Sequence, residues 1–527
     1  AGALTMGGAS THGDTLIEAG RLRVRQIAAL GSGGLSLADG AALELDGLRD
    51  YAELRKDIRA TGAAGGTLEI KNSRMILSGS NALSATLISG NSHVIAGHAS
   101  ALGGRTAGVT ISDGAGVEIG TSNVYADNVI VDGGTILFSD ASSKLVSRRR
   151  VVFSNNATVG LGGFLPTGVY RFVSATDGIV GVLGRDFGCA PVQHGGNLAV
   201  RKEGTELVFY VIDNTATPAK DAAMTFDTML ASTSAVYSRM SEAFLLPLSD
   251  YKPGAPENGF WARGVGSTAR YDAAGELSGF DEWTYGIMTG YDKVIGGRLL
   301  LGGWVGMANS RIDTTANGRT EGEQQMAGLY TSLKLGRFYI SADVMGGMSQ
   351  SDIQRAGQNE MVYGNYRAGH IAASAELGFI LTHWEGGFLK PAWSVHHMDA
   401  SFKDHQESGL GAVRVADFSQ ERVQSFLRMQ AAQRFTLPWG WASVADFTAG
   451  WRQTVRGRDC TVDMAFVSDP TVVIPVQAGG YASGSAVVGL GVRSIVTKKL
   501  MLSLGYDYET AFGRRRHSFN GAFRYVW

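Results

Sequence analysis

Several features that define other protein classes are missing from this chain of 527 residues. No apolar run approaches the roughly 20 residues that a membrane-spanning helix needs. Two cysteines, Cys189 and Cys460, are too few for a disulfide-dense scaffold. The 47 Lys and Arg residues balance 48 Asp and Glu residues, so the net charge favours no nucleic-acid partner. The opening letters AGALTMGG contain no signal peptide, which we expect to be cleaved or to lie outside this sequence.

Motifs of catalysis and of cofactor or metal binding are also missing. The sequence has no GxSxG elbow, no HExxH and no GDSG block. Residues 13–16 read GDTL, which is similar to the GDSL esterase block, but Thr15 replaces the serine nucleophile. His396 and His397 are adjacent, so in a strand they point to opposite faces and make a poor metal site. We expect no enzyme activity, no cofactor and no metal.

Glycine is abundant, at 73 residues against 10 prolines, which is typical of repeated strands and turns. Residues 1–163 carry short alternating segments, such as GGTLEIKNSRMILSG, separated by Gly, Asn, Asp and Ser turns. This pattern favours an all-β, right-handed β-helix in which short rungs stack, with a β-sandwich as the alternative. The segment 49–62 is the one helix-like interruption, which we interpret as a loop excursion.

The texture changes after the solenoid. Residues 164–214 contain longer, more aromatic hairpins, which we interpret as a cap or junction that stabilises the end of the solenoid. A linker over 215–257 follows, and within it 221–244 reads as a helix with Asp221 as N-cap. At 1.5 Å per residue this helix is roughly 35 Å long, close to the thickness of a bilayer. An apolar stripe on one side and polar residues elsewhere suit a helix inside a barrel lumen, or else an amphipathic linker helix; its marker residues are Phe226, Leu230, Tyr237, Arg239, Met240 and Phe244.

Residues 258–527 predict a 12-stranded antiparallel transmembrane β-barrel. We count twelve strands of about 10–14 residues, several of which alternate cleanly between apolar and polar residues. The first is untidy, since Trp261 and Arg263 share a face. Connections after even strands are short and those after odd strands are long, as in outer-membrane barrels with short periplasmic turns; the long ones are 270–282, 312–323, 350–365, 403–421 and 454–481. The chain before the first strand must then pass through the lumen to reach the outside.

The two faces of the barrel strands predict two kinds of residue. The closing strand HSFNGAFRYVW places its apolar residues on the face that we expect to contact lipid: Phe519, Phe523, Tyr525 and Trp527. The opposite faces carry candidate lumen-facing charges, either as ordinary structural pairs or as the wall of a polar conduit: Lys390, Arg428, Arg434, Arg493, Asp507 and Arg524.

The order of these parts resembles the monomeric autotransporters of type V secretion in Gram-negative bacteria. The resemblance is carried by the helix DAAMTFDTMLASTSAVYSRMSEAF, the opening strand NGFWARGVGSTARYD, the closing strands VVGLGVRSI and LMLSLGYDYETAFG, and the terminal FRYVW. The junction TGVYRFVSATDGIVG is also similar. The resemblance implies a β-helical passenger and a helix-plugged barrel that secretes and displays it, with a porin-like channel carrying an N-terminal β domain as the alternative function.

The resemblance also implies partners and a location. These are outer-membrane lipid, the barrel-assembly machinery, periplasmic chaperones and an unknown extracellular ligand of an adhesin-like passenger, with the protein a monomer displayed at the cell surface. The resemblance implies that the assembly machinery recognises the terminal aromatic strand, so its candidate barrel-assembly signal is Phe519, Phe523, Tyr525 and Trp527. In family members that cleave themselves, an Asn in the plug helix is the scission point. Residues 221–250 contain no Asn, so we expect the passenger to stay attached. Cys189 and Cys460 either form a disulfide or remain separate thiols.

Overall fold

The computed structural model describes residues 2–63, 65–162, 165, 167–181, 196–213, 218–245, 258–272, 279–314, 318–357, 360–384, 386–457, 459–479, 483–497 and 499–526. The chain divides into two compact units, Ala1–Asp213 and Asn214–Trp527. Within the described ranges, no helix is both long and apolar enough to cross a membrane.

The first unit is built almost entirely of short strands, with two 3-10 turns at Ile27–Leu30 and Gly104–Thr106. The strands are β1 (Ala3–Met6), β2 (Thr15–Ile17), β3 (Arg21–Val24), β4 (Leu35–Leu37), β5 (Ala42–Asp46), β6 (Ala52–Leu54), β7 (Ile58–Ala60), β8 (Thr67–Lys71), β9 (Arg74–Leu77), β10 (Ala85–Ser89), β11 (His93–Ala96), β12 (Gly108–Ser112), β13 (Gly116–Ile119), β14 (Val124–Ala126), β15 (Asn128–Asp132), β16 (Thr135–Phe138), β17 (Leu145–Ser147), β18 (Val151–Ser154), β19 (Thr158–Leu161), β20 (Gly168–Ala175), β21 (Ile179–Val180), β22 (Gly196–Glu203) and β23 (Glu206–Asp213).

These strands stack in parallel, in-register columns, and this confirms the predicted solenoid. One nine-stranded sheet runs β1-β3-β5-β8-β10-β12-β15-β18-β21, and a six-stranded sheet runs β6-β9-β11-β13-β16-β19. Both are parallel throughout, which requires each rung of the chain to return to the same edge. The unit makes about 7 turns. The hand of the solenoid stays a prediction.

Side chains at equal positions of successive rungs stack inside the solenoid. Leu43 pairs with Leu68 across β5 and β8, and both are fully buried. The buried polar residues follow the same logic, because the Ser73 hydroxyl accepts from the Leu48 N–H at 3.1 Å and that of Ser92 accepts from the Ser73 N–H at 3.3 Å. Such stacking satisfies buried backbone groups that the corner between two sheets leaves unpaired.

The expected helix-like interruption at 49–62 is wrong, because this segment holds β6 and β7, which join the parallel sheets. The end of the unit differs from its body. Here β20 pairs antiparallel with β23, and β23 with β22. Phe172 and Phe209 meet edge to face beneath this hairpin, with ring centroids 5.0 Å apart. An antiparallel hairpin ends the parallel stack and covers its last apolar layer.

The second unit begins with helix α1 (Pro218–Leu245) and continues with strands only. The strands are β24 (Gly259–Tyr271), β25 (Phe280–Ile295), β26 (Leu299–Thr314), β27 (Arg319–Leu335), β28 (Phe338–Ala356), β29 (Met361–Phe379), β30 (Thr382–Trp384), β31 (Gly387–Phe402), β32 (His405–Gln406), β33 (Val413–Val415), β34 (Phe418–Thr436), β35 (Ala442–Arg456), β36 (Asp459–Phe466), β37 (Asp469–Gly479), β38 (Gly484–Thr497), β39 (Leu500–Ala511) and β40 (Arg514–Val526).

Twelve of these strands close into an antiparallel barrel, and the predicted fold class is thereby confirmed. The first barrel strand, β24, pairs with the last, β40, from Gly259 opposite Val526 to Tyr271 opposite Arg514. The short β30 pairs only with β31, at the turn between β29 and β31. Closure leaves no free sheet edge in the barrel wall, as a bilayer requires.

Two of the predicted long loops are wrong. Residues 312–323 and 350–365 are mostly strand, because the hairpins β26–β27 and β28–β29 continue their ladders almost to the turn. Near these turns the outward-facing residues become polar, as at Arg311 and Glu323. They are polar because the strands continue beyond the lipid into water, and not because the strands have ended. The connections that remain long are 403–417 and 457–483, and they hold a separate sheet of β32, β33, β36 and β37.

The barrel wall alternates between outward apolar and inward polar residues. Tyr285, Ile287 and Leu329 are exposed on the outside, whereas Arg263 and Asp292 are buried inside. The first strand is regular after all, because Trp261 and Arg263 both point into the lumen and Phe260 points outward. The sequence interpretation expected tryptophan to face lipid. Trp261 instead faces the lumen, where its indole N–H donates to the Tyr330 hydroxyl at 2.8 Å.

Candidate functional site

Helix α1 lies inside the barrel. Its side chains from Asp221 to Glu242 are buried, apart from Ala231, Ser234 and Ser238 on one side. It contacts strands β24 to β29 and β31. The helix begins at Pro218, a good first-turn residue, so the expectation that Asp221 caps it is wrong. Asp221 lies within the first turn, near the positive end of the helix dipole, where an acidic residue is favourable.

The N-terminal half of the helix is held by a buried aspartate. The Asp227 carboxylate accepts hydrogen bonds from the Tyr271 hydroxyl at 2.6 Å and from Arg514 Nη2 at 2.9 Å. Arg516 donates to the Asp227 backbone carbonyl at 3.0 Å. These partners sit at the end of β24 and the start of β40, on either side of the seam that closes the barrel. This contact therefore ties the helix to the seam.

The C-terminal half is held by a second set of ion pairs. Arg239 forms a bidentate pair with Asp292, at 2.8 and 2.7 Å, and both side chains are almost fully buried. Tyr330 donates to the same carboxylate at 2.7 Å. Glu242 accepts from Arg263 at 2.7 Å. Because Arg263 is near the start of β24 and Tyr271 at its end, the helix runs antiparallel to β24, with its N-terminus towards the long connections.

Aromatic, hydroxyl and apolar contacts fill the space between these ion pairs. Phe226 lies under the Arg422 guanidinium, with 4.4 Å from the cation to the ring centroid. The Tyr237 hydroxyl accepts from Ser374 at 2.8 Å. Leu230 and Met240 are buried, so five of the six marker residues of the helix face protein inside the lumen. Phe244 lies in the helix, but its side chain is outside the described residues.

The opposite side of the helix faces a cavity of about 130 Å³. The helix contributes mainly small residues to it, including Ala231, Ser234 and Ser238. The barrel wall contributes charges of both signs, among them Arg452 and Glu509, which form a buried ion pair. Among the described groups, buried nitrogens such as Arg452 Nε have no hydrogen-bond partner in the protein. The helix thus packs tightly on one wall and leaves a cavity with charged lining residues at the other.

The six predicted lumen charges lie at inward positions of five strands, β31, β34, β38, β39 and β40. Arg428 pairs with Glu376 at 2.7 Å, Arg493 with Asp446 at 2.9 Å, and Arg524 lies 3.8 Å from Asp292. Lys390 is fully buried, with its ammonium 4.8 Å from the Tyr339 ring centroid. Asp507 lines the cavity, and Arg434 is half-buried near the end of β34. Of the six, Arg493 and Arg524 join the network that holds the helix, through Glu242 and Asp292.

The residues that hold the helix most directly were missed as site residues. They are Asp227, Glu242, Arg263, Arg514 and Arg516. The sequence signal that could have found them is strand alternation, because each of the wall residues occupies an inward position of its strand. The two helix carboxylates also fall on the same barrel-facing side of the helix. Pairing them needs the three-dimensional register, which strand alternation does not supply.

The candidate assembly signal lies on the outer surface. Phe519, Phe523 and Tyr525 are exposed by 55%, 44% and 42%, and Phe519 contacts Tyr506 of the neighbouring strand. Trp527 is outside the described residues. Cys189 is also outside them, and Cys460 is a free thiol on β36 whose pKa is raised by burial. No group of three or more His, Cys, Asp or Glu residues in the described ranges is arranged to hold a metal ion.

Comparison with known proteins finds a family model and a curated relative that match this chain. Residues 260–507 match the family model of the autotransporter beta-domain. An extracellular serine protease of Serratia marcescens is 22% identical over 274 residues, which is 50% of this chain and 26% of that protein. The chain therefore spans about a quarter of the length of this curated relative.

Solved structures give similar matches. The translocator domain of autotransporter NalP from Neisseria meningitidis aligns with a TM-score of 0.44 and 15% identity, covering 56% of this chain and 98% of that one. The beta domain of the Bordetella autotransporter BrkA aligns with a TM-score of 0.41 and 19% identity, covering 51% and 100%. The family match spans the barrel from its first strand into β39, so the C-terminal part of this chain is an autotransporter beta-domain.

Proposed function

We propose that this protein secretes and displays its own N-terminal solenoid. The barrel, an outer-membrane β-barrel of Gram-negative bacteria, inserts in the membrane, the chain passes outward through its lumen, and α1 then fills that lumen. The observation that carries the proposal is the buried helix, which joins the solenoid unit to the barrel and points its N-terminus towards the long connections. The passenger then remains at the cell surface, uncleaved, as a binding surface for an extracellular ligand.

The partners follow from the same proposal. The exposed aromatic face of β40 is available to the barrel-assembly machinery, and periplasmic chaperones hold the chain before insertion. The Serratia marcescens relative is a protease, but no catalytic motif occurs in this sequence, and we propose that this chain is not an enzyme. The outward apolar band of the closed barrel contacts lipid, and a single chain completes the barrel, which supports a monomer.

Protease accessibility on intact cells tests the proposal. Cells expressing the full chain are treated with a protease that cannot enter the periplasm, and the residues of the solenoid are followed by immunoblot. We expect 1–213 to be digested on intact cells while the barrel survives, at a protease dose high enough to cleave the folded solenoid. A solenoid that is protected until the outer membrane is permeabilised would contradict display and would favour the porin-like alternative.

A matched variant sharpens the test. Asp227→Asn removes the charge that Arg514 and Arg516 bind, but keeps the shape of the side chain. Since this contact forms only when the helix is in the lumen, we expect display to persist and the barrel to leak. The control is Asp313→Asn, which changes an aspartate on the outer face of the same barrel.

A further inference from the structure

A second sheet stands apart from the barrel wall and is built from two of its connections. The first connection, between β31 and β34, supplies β32 and β33. The second, between β35 and β38, supplies β36 and β37. The four strands pair antiparallel in the order β32-β33-β36-β37. Both connections leave the barrel at the end towards which the N-terminus of α1 points.

This sheet is amphipathic, and its apolar face is buried. Cross-strand pairs put Val413 opposite Phe466 and Met464 opposite Ile474 on one face. All four side chains are at most 3% exposed, whereas Val473 and Pro475 on the other face are exposed. A solvated surface loop does not bury such a face, so the sheet packs onto the end of the barrel.

One edge of the sheet is fastened to the hairpin of β28 and β29 by a buried ion pair. Arg355 and Glu407 form a bidentate pair in which both side chains are almost fully buried. The Glu407 carboxylate also accepts from the Val413 N–H at 2.9 Å, and Arg355 donates to the Gly411 carbonyl at 3.0 Å. This cluster joins a barrel strand to the loop that carries β32 and β33.

Backbone pairing reinforces the same junction. The Tyr363 N–H donates to the Ser408 carbonyl at 3.1 Å, and the Ser408 N–H donates back at 2.8 Å. The Leu410 N–H donates to the Glu360 carboxylate at 2.6 Å. The junction therefore contains an ion pair, a two-bond bridge and a charge-assisted hydrogen bond, all within a short stretch of loop.

The other edge of the sheet reaches the helix. Strand β37 contacts α1. The sheet thus covers the N-terminal half of the helix at the end of the lumen. A polypeptide that leaves the barrel by this end has to pass beside the sheet.

We infer that this four-stranded sheet, β32-β33-β36-β37, is a gate that is open during passage of the chain and closes onto α1 afterwards, with Arg355 and Glu407 as its latch. The inference rests on the proposed function, since it assumes an exit through this end. It goes beyond that function by assigning retention of the plug to the extracellular connections as well as to the lumen.

Single-channel recording on the purified full chain in planar lipid bilayers tests the latch. Glu407→Gln leaves Arg355 buried without its countercharge, and we expect steps to the large, unplugged conductance to become at least about tenfold more frequent. The matched control is Glu421→Gln, which changes a more exposed glutamate of β34 paired with His397 and Arg456. An unchanged step frequency in Glu407→Gln would overturn the latch.

A reversible cross-link tests the gate without depending on that variant. Tyr363 and Ser408 form a hydrogen-bonded antiparallel pair, for which Cα atoms lie about 5.5 Å apart, within disulfide reach. Tyr363→Cys with Ser408→Cys, in a background with Cys189→Ser and Cys460→Ser, should abolish large steps until a reductant is added.

The control cross-link is Asn309→Cys with Glu323→Cys, which joins two strands that are already paired in the wall and should leave the steps unchanged. If the oxidised Tyr363–Ser408 pair opens as often as the reduced one, the sheet is not a gate. If it closes the channel while intact cells show no displayed solenoid, the gate stands and the proposed route of secretion fails.

Discussion

The pair of Arg239 and Asp292 offers a sharp test of how the helix is retained. It is bidentate, both side chains are at most 1% exposed, and Tyr330 donates to the same carboxylate. The perturbation is Arg239→Leu, which keeps much of the aliphatic volume and removes the cation. Asp292 is then left as a buried carboxylate with Arg524 at 3.8 Å as its nearest cation among the described ion pairs.

The expected magnitude follows from the burial of both partners. Removing one member of a buried ion pair costs about 3–5 kcal/mol, because the other charge stays desolvated. Arg524 compensates in part, so we take the lower end, about 3 kcal/mol. At about 1.4 kcal/mol for each factor of ten, the unplugged state should gain on the order of a hundredfold in population.

Single-channel recording gives that population directly, as the fraction of time spent at the large conductance. The double variant Arg239→Leu with Asp292→Asn removes both charges and should restore part of the plugging, since residue 292 no longer carries a buried charge without its bidentate partner. If Arg239→Leu raises the open fraction less than about twofold, or if the two changes simply add, this ion pair does not retain the helix.

Three further predictions concern both units. Phe209→Ala should destabilise the solenoid by about 3–5 kcal/mol and expose it to protease in the full chain, whereas Leu137→Ala, on its outer surface, should have little effect. The pKa of Glu44 is lowered, because hydrogen bonding and the charges of its basic neighbours outweigh burial. Its contribution to solenoid stability is therefore present at neutral pH and lost as the pH falls below about 4.5. Glu44→Gln should make the protease resistance of the solenoid less dependent on pH, and an unchanged pH profile would refute this prediction. Ser234→Leu faces the lumen cavity and should be tolerated within about 1 kcal/mol, whereas Ser232→Leu on the packed side should cost about 1–3 kcal/mol and raise the open fraction; equal effects would contradict the two-sided packing of the helix.

The barrel could be predicted because lipid enforces a simple rule. Apolar residues must recur at every second position over a membrane thickness, so strands such as β25 and β39 are visible without any knowledge of their partners. The solenoid was visible for a related reason, since its turns carry Gly, Asn and Asp at short intervals, as at the left-handed Asn72.

The sequence predictions failed where a polar residue can indicate either a loop or a strand that continues beyond the lipid. Residues such as Glu323 and Gln350 are polar because they lie on strands beyond the lipid, and they were assigned to loops. Asp221 resembled an N-cap, but the helix starts three residues earlier at a proline. The ion pairs of the helix could not be predicted, because Asp227 and Arg514 meet only through barrel closure. The gate sheet was hidden for the same reason, since its strands come from two separate connections.

The closing seam has a consequence for the order of folding. Gly259 pairs with Val526, so the first barrel strand has no partner on one side until the last one has been synthesised. Every other neighbouring pair in the wall is local in sequence and can form early, while this contact has the longest loop to close. A nearly complete sheet therefore exists with two open edges, β24 and β40, each of 13 residues and each a template for aggregation. The slow, hazardous step in making this protein is the meeting of those two edges, and Asp227 helps to secure it by bridging the seam from inside.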